Sequence, residues 1–159
     1  MSSFSARLQR AIVEEEPRLR AISDSSAAAG PPGDAWSKKQ ELGHLIDSAT
    51  NNRVRFIRAA LDGQFVGPSY DGCGWVEMGG YRAMPWSDLI GLWKALNQAL
   101  SAVLERIPPE RLSAECRIGE HPAATLEFVI DDYILHMQRH LDHILSRERT
   151  TVYPSAQNR

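Results

Sequence analysis

Side chains able to bind a metal crowd one stretch of the chain, where Asp132, His136, His140 and His143 follow one another at three- and four-residue steps. At helical period, Leu126, Val129, Ile130, Tyr133, Met137, Leu141 and Ile144 form an apolar stripe, and the three histidines line its flank. Residues four apart on a helix stand about 5–6 Å apart at Cβ. Two imidazoles at that spacing can therefore converge on one ion if a third ligand arrives from elsewhere. His44 is the candidate for that third position. One histidine from one helix and two from another would leave coordination positions open, the arrangement of a catalytic centre, since structural zinc is normally closed by four protein ligands. Imidazoles suit zinc, nickel, iron or copper. Spacing alone leaves open a competing reading, in which His44 faces solvent and the others simply edge an amphipathic helix.

Four long amphipathic segments position these residues, near 5–22, 38–61, 87–107 and 126–147. In the first, Phe4, Leu8, Ala11, Ile12, Leu19 and Ile22 keep helical spacing, and Pro17 is expected to kink or restart the helix. Ser23 to Ser26 offer turn or capping groups, and Gly30-Pro31-Pro32-Gly33 ends the segment. Ser37 with Gln40 predicts a capping box at the start of the second helix, with Trp36 packing back on its first turn as a staple. The third starts at Pro85-Trp86-Ser87, with Trp86 or Ser87 near the cap, and stops at Pro108-Pro109; Thr125 caps the fourth. Between the second and third lies a long connection carrying Tyr70, Trp75 and Tyr81, with a short helix expected from Trp75 to Tyr81. Between the third and fourth, a loop is expected, extended around Cys116-Arg117-Ile118. Four such helices with no convincing strand run predict an all-α four-helix bundle.

On the second helix His44, Ser48, Asn51 and Arg55 share a polar face. In a bundle, metal sites form from inward side chains on facing helices, so this face is expected to look into a wet cleft. Asp47 and Asp132 are candidates for holding histidine N–H groups, with solvated helix acids as the plainer reading. Asn51 and Arg55 are pocket candidates, Arg55 as a holder of an anionic substrate or as half of an ion pair. Cys73, in a glycine-rich loop, reads as an ordinary free thiol.

The blocks Trp36 to Ala49 (WSKKQELGHLIDSA), Pro85 to Trp93 (PWSDLIGLW) and Asp132 to Leu141 (DYILHMQRHL) resemble the DinB/YfiT-like family. The resemblance runs over nearly the whole chain. It implies a four-helix bundle of up-down-down-up arrangement, a homodimer, and a divalent metal, zinc or nickel, held by His44, His136 and His140. His143 and His121 fall outside that triplet. It also implies a small-molecule substrate and either hydrolysis by activated water or transfer dependent on a low-molecular-weight thiol, with a non-catalytic stress-related metal or small-molecule binding protein as the alternative. A helical interaction module with incidental histidines is the third reading.

Composition narrows the field. With 159 residues, one domain is expected over 1–150, followed by a polar tail at 151–159. A formal charge of −2 argues against a nucleic-acid surface. No apolar run approaches the ~20 residues needed to span a bilayer, and the N-terminus lacks a signal-peptide layout. A cytoplasmic protein is therefore expected. Two cysteines, Cys73 and Cys116, make no disulfide framework.

Overall fold

The computed structural model describes residues 3–30 and 35–148. The Pro31 to Gly33 part of the expected break and the polar tail lie outside them. Six α-helices appear among the described residues: α1 (Phe4–Arg20), α2 (Asp24–Ala28), α3 (Lys38–Asp62), α4 (Gly72–Gly79), α5 (Trp86–Leu104) and α6 (Leu126–Ile144). The long ones, α1, α3, α5 and α6, are the four that hydrophobic periodicity predicts.

Side-chain pairs give their directions. Arg7 meets Asp131 and Glu15 meets Gln138, so α1 and α6 run parallel. Gln9 meets Glu105 while Glu16 meets Lys94, so α5 runs against α1. Glu41 meets His143 and His44 meets His136, so α3 runs against α6. The order is up-down-down-up, and each long helix packs against two others around the shared core. Trp93, Phe56, Leu42, Leu89, Leu126 and Met137 are among its fully buried side chains. Tyr133 sits edge-on to Phe56 and donates its hydroxyl to Asn97 Oδ1 at 2.5 Å, which keeps that buried oxygen paired.

The fold is not purely helical. β1 (Gln64–Gly67) pairs in parallel with β2 (Glu115–Ile118), which pairs antiparallel with β3 (Ala124–Thr125). The extension expected around Cys116 is thus a strand in a small sheet. This sheet feeds α6: Ala114 O accepts from Leu126 N and Leu112 O from Glu127 N, satisfying first-turn amides alongside the Thr125 cap on Phe128 N.

Several helix ends differ from the expected ones. α1 continues through Pro17 to Arg20. The amide that proline lacks would have bonded Val13, which is 72% exposed, so the freed carbonyl lies on the solvent side where water can serve it. Ser23 caps a separate short α2. α5 stops at Leu104, three residues before Pro108 would have disfavoured helix. Its N-cap is Pro85, and the amide of Trp86 is met from another element by Asp24 Oδ1 at 2.7 Å. The short helix starts at Gly72, three residues before Trp75, and Tyr81 belongs to a 3-10 turn after it.

At the C-terminal end of α6, Glu15 is 2% exposed and accepts two bonds from the Arg147 guanidinium, at 2.7 and 3.0 Å. The same guanidinium reaches buried Asp142 through Nε at 2.7 Å. This pairing ties the last turn of α6 to α1 and so fixes the helix that carries His136 and His140.

Candidate metal centre

The site begins with the start of α3. Ser37 Oγ accepts from Gln40 N while Gln40 Oε1 accepts from Ser37 N, the reciprocal capping box expected from sequence. Glu41 and His44 then follow one turn apart on the face toward α6. Trp36 packs back on its own helix, with its ring 5.1 Å from that of His44, walling one side of the site. Gly43 permits another close approach, because a Cβ there would stand 2.0 Å from Cδ2 of Tyr81. The Tyr81 ring packs on that bare backbone and its hydroxyl donates to Asp47 Oδ1. α4 begins beside the site, since a Cβ added at Gly72 would stand 3.5 Å from Cε1 of the His44 ring.

His44, His136 and His140 meet across the α3–α6 interface with one potential donor atom each, all within 4.8 Å of one another. Nε2 of His44 is 3.2 Å from Nε2 of His136. Two imidazole nitrogens each about 2.0–2.1 Å from one ion would stand roughly 2.8–3.4 Å apart at octahedral or tetrahedral angles, so this pair already has the separation of shared coordination. His140 is oriented by Glu41, whose Oε1 is 2.9 Å from its Nδ1. That bond fixes the tautomer with the proton on Nδ1 and leaves Nε2 with its lone pair. His143 also bonds Glu41 through Nδ1, at 2.6 Å to Oε2, with its ring otherwise largely in solvent.

Burial makes the cluster chemically suited to a cation. Desolvation, with electrostatic coupling to the His140 ring as a lesser cause, holds His44 down to about 4 against the opposing pull of Glu41. Desolvation, then His140, His44 and Arg139, holds His136 down to about 3. Both rings are therefore neutral at pH 7 and can donate lone pairs. Burial pushes the Glu41 carboxyl up, but hydrogen bonds from His140 and His143 outweigh it, so the group is held below its usual range. Nδ1 of His44 is buried with no hydrogen-bond partner among the described residues. The donor set fits a divalent metal of the imidazole-preferring kind.

His136 also lines a cavity of about 290 Å³ between α3, α6, the sheet and the Ser69-Tyr70 segment. Of the residues expected around the site, Arg55 and Asp132 line this cavity. Asn51 does not: its amide donates back to Asp47 O within the helix. Asp47 does not orient a histidine either, because one carboxylate oxygen is taken by Tyr81 and the other is buried without a partner among the described residues. Burial raises its pKa, which the Tyr81 bond only partly offsets. Among the described residues Asp132 makes no bond to a histidine. The role sought for those two aspartates falls to Glu41. The signal was present in the sequence, since an acid three residues before His44 shares its helix face. His121, distant in sequence from the triplet, is a lining residue of the cavity.

The DinB superfamily model matches residues 7–144. The chain belongs to the DinB superfamily. Within this family the fold is close to that of YfiT from Bacillus subtilis, with a TM-score of 0.80 at 20% identity, covering 90% of this chain and 82% of that one. YfiT is described as a probable metal-dependent hydrolase with an unusual four-helix bundle topology. A mycothiol-dependent maleylpyruvate isomerase shares the fold at a TM-score of 0.68 and 10% identity, over 96% of this chain and 65% of that one. A protein of Oceanobacillus iheyensis, provisionally named a metal-dependent hydrolase, is 27% identical over 111 residues. That match takes in 70% of this chain and spans 64% of the relative's length. Among the described residues no helix is long and apolar enough to cross a membrane.

Proposed function

We propose that this protein is a metal-dependent hydrolase of a small molecule, with a divalent ion, zinc or nickel, held by His44, His136 and His140. The observation that carries this reading is the convergence of three imidazoles, two of them kept neutral by burial, beside a cavity that His136 itself lines. An ion held there would supply Lewis acidity toward the nucleophile and the substrate.

The chain's own residues divide the remaining work. Glu41 keeps the Nε2 lone pair of His140 facing the other two rings. Trp36 packs its ring against His44 on one side of the cluster. Asp132 lines the cavity one turn from His136 and has no partner of its own among the described residues, so its carboxylate is placed to accept a proton from attacking water. The water oxygen then joins the acyl or equivalent centre, the bond to the leaving group breaks, and the proton on Asp132 passes to that group.

Cavity size favours water over a thiol as the second reactant. About 290 Å³ lies at the lower edge of the roughly 300–1,000 Å³ usual for ligand sites, and a peptide-sized thiol beside a substrate would have to reach in from outside. Transfer dependent on a low-molecular-weight thiol uses the same centre and is the reading to which the assay gives its second arm. We further propose a single domain over residues 1–150, a homodimer and a cytoplasmic setting, as the family resemblance and composition imply; sedimentation at micromolar concentration checks the dimer.

The test combines metal analysis of purified protein with a panel of small esters and amides, each with and without added thiol. One equivalent of metal per chain and thiol-independent hydrolysis, lost in Asp132→Asn with metal retained, is the expected result. Turnover only with thiol would replace hydrolysis by transfer. Bound metal with no turnover in any arm would leave a binding protein.

A further inference from the structure

Arg55 lines the same cavity as His136 and has no acid in pairing range among the described residues. It lies eleven residues along α3 from His44, which is about 16 Å at 1.5 Å per residue. Its guanidinium makes two long contacts, 3.4 Å to Asn52 Oδ1 and 3.5 Å to Pro68 O, and lies 5.7 Å from the centre of the Tyr70 ring. Among the described residues no carboxylate oxygen is in ion-pair range of it, and Asp132, the acid that lines the same cavity, makes no bond with it. A guanidinium offers five N–H donors in a planar fork. Most of them therefore point at nothing in the protein.

That state is unfavourable as it stands. Burial depresses the Arg55 pKa against the pull of Tyr70 and Cys116, which is the mark of a cation partly stripped of water without a countercharge. A half-buried arginine with spare donors on a cavity wall is relieved by an anion entering the cavity, and a carboxylate matches its fork with two parallel bonds. Ser48 and Asn52 line the same wall and add neutral polar groups beside it, while Ile118, Phe128 and Val129 supply apolar walls. On α6 the lining runs from Phe128 to His136, about 12 Å of helix at 1.5 Å per residue.

We propose that Arg55 is the specificity residue of this cavity, and that the substrate is a small carboxylate bound with its anionic end on Arg55 and its reacting bond toward His136. The proposal rests on the hydrolase reading only for the direction of the reacting end. Recognition of the carboxylate by Arg55 does not need the metal, so the two can fail separately. The apolar wall between the ends selects a short hydrocarbon spacer. A neutral isostere leaves the guanidinium unpaired in the cavity and is rejected for that reason.

The experiment is calorimetric titration of the full chain, with and without one equivalent of zinc, using glutarate and adipate against their neutral diamides and against inorganic phosphate. The variants are Arg55→Gln and Arg55→Lys, the second keeping the charge while losing the fork should the first fail to fold. Saturable binding of a dicarboxylate is expected, at least tenfold tighter than its diamide, and weakened at least tenfold in Arg55→Gln and severalfold in Arg55→Lys. Zinc stoichiometry should be unchanged in both variants. No saturable binding of either dicarboxylate, or equal binding by the Arg55 variants, overturns the proposal. Arg55-dependent binding of phosphate with none of either dicarboxylate overturns the carboxylate assignment. Dicarboxylate binding through Arg55 in a protein that takes up no zinc upholds the subsite and removes the metal reading instead.

Discussion

Glu41 Oε1 stands 2.9 Å from Nδ1 of His140, on a carboxylate that is itself buried between α3 and α6. This contact sets which nitrogen of His140 carries the proton, and so which one is free toward His44 and His136. Partners of this kind typically contribute 10- to 100-fold to metal affinity. Glu41→Ala should therefore weaken zinc binding by about that factor, with partial recovery in Glu41→Gln, whose amide oxygen can still accept from Nδ1. Competition against a chromophoric chelator measures it. His143→Ala should change affinity far less, because Glu41 keeps its bond to His140. Unaltered affinity in Glu41→Ala would show that His140 needs no holding.

The three histidines of the cluster should behave differently from the remaining two. Metal analysis of His44→Ala, His136→Ala and His140→Ala at neutral pH should show bound metal far below one equivalent. His121→Ala and His143→Ala should stay near it. The bundle should survive all five changes, since the rings flank the core, although loss of the ion lowers the melting temperature by linkage. Equal retention across the series would sink the three-histidine assignment.

Metal-free protein should lose stability as pH falls from 7.5 toward 4. His44 and His136 have folded pKa values of about 4 and about 3, both depressed from 6.5, first by burial. Between 6.5 and those values the unfolded chain binds protons that the folded chain refuses, so acid favours unfolding. The stabilising difference is complete above 6.5 and is lost as pH drops through the folded values. Urea midpoints of chelator-treated protein at pH 7.5, 6 and 5 check this. His136→Gln should give a flatter profile over the same interval. A wild-type midpoint that rises on acidification would mean that the rings are protonated in the folded state.

How much of this could be read from the sequence depended on how far apart the partners lie. The Ser37–Gln40 box and the Thr125 cap are local, each made within three residues, and both formed as expected. The four long helices were legible because each carries its own apolar stripe. The sheet was not, because strands of four, four and two residues are too short to show alternation, and β1 finds its partner some fifty residues away. Asp24 capping Trp86 was hidden for the same reason. At the site, types and spacing put His44, His136, His140 and His143 forward, and the family resemblance singled out the first three. Asp47 misled because Tyr81, from a connection with no periodicity, claims its carboxylate.

The packing of Tyr81 on Gly43 should be as important to the site as any polar contact. A Cβ at position 43 would lie 2.0, 2.3 and 2.7 Å from three carbons of the Tyr81 ring, which are distances no side chain accommodates without movement. The ring has little room to yield, being 8% exposed and held at its hydroxyl by Asp47. Gly43→Ala should thus destabilise the fold by about 1–3 kcal/mol, the usual cost of overpacking, despite the better helix propensity of alanine, worth about 1 kcal/mol in the other direction. The displaced Tyr81 would draw Asp47 and α4 with it, one residue from His44. Metal affinity should fall together with the urea midpoint. Tyr81→Ala in the Gly43→Ala background should recover part of the metal affinity, because the clash is gone, while leaving Asp47 without its donor. A Gly43→Ala protein as stable as wild type, with full metal affinity, would show that the Tyr81 ring can move aside freely.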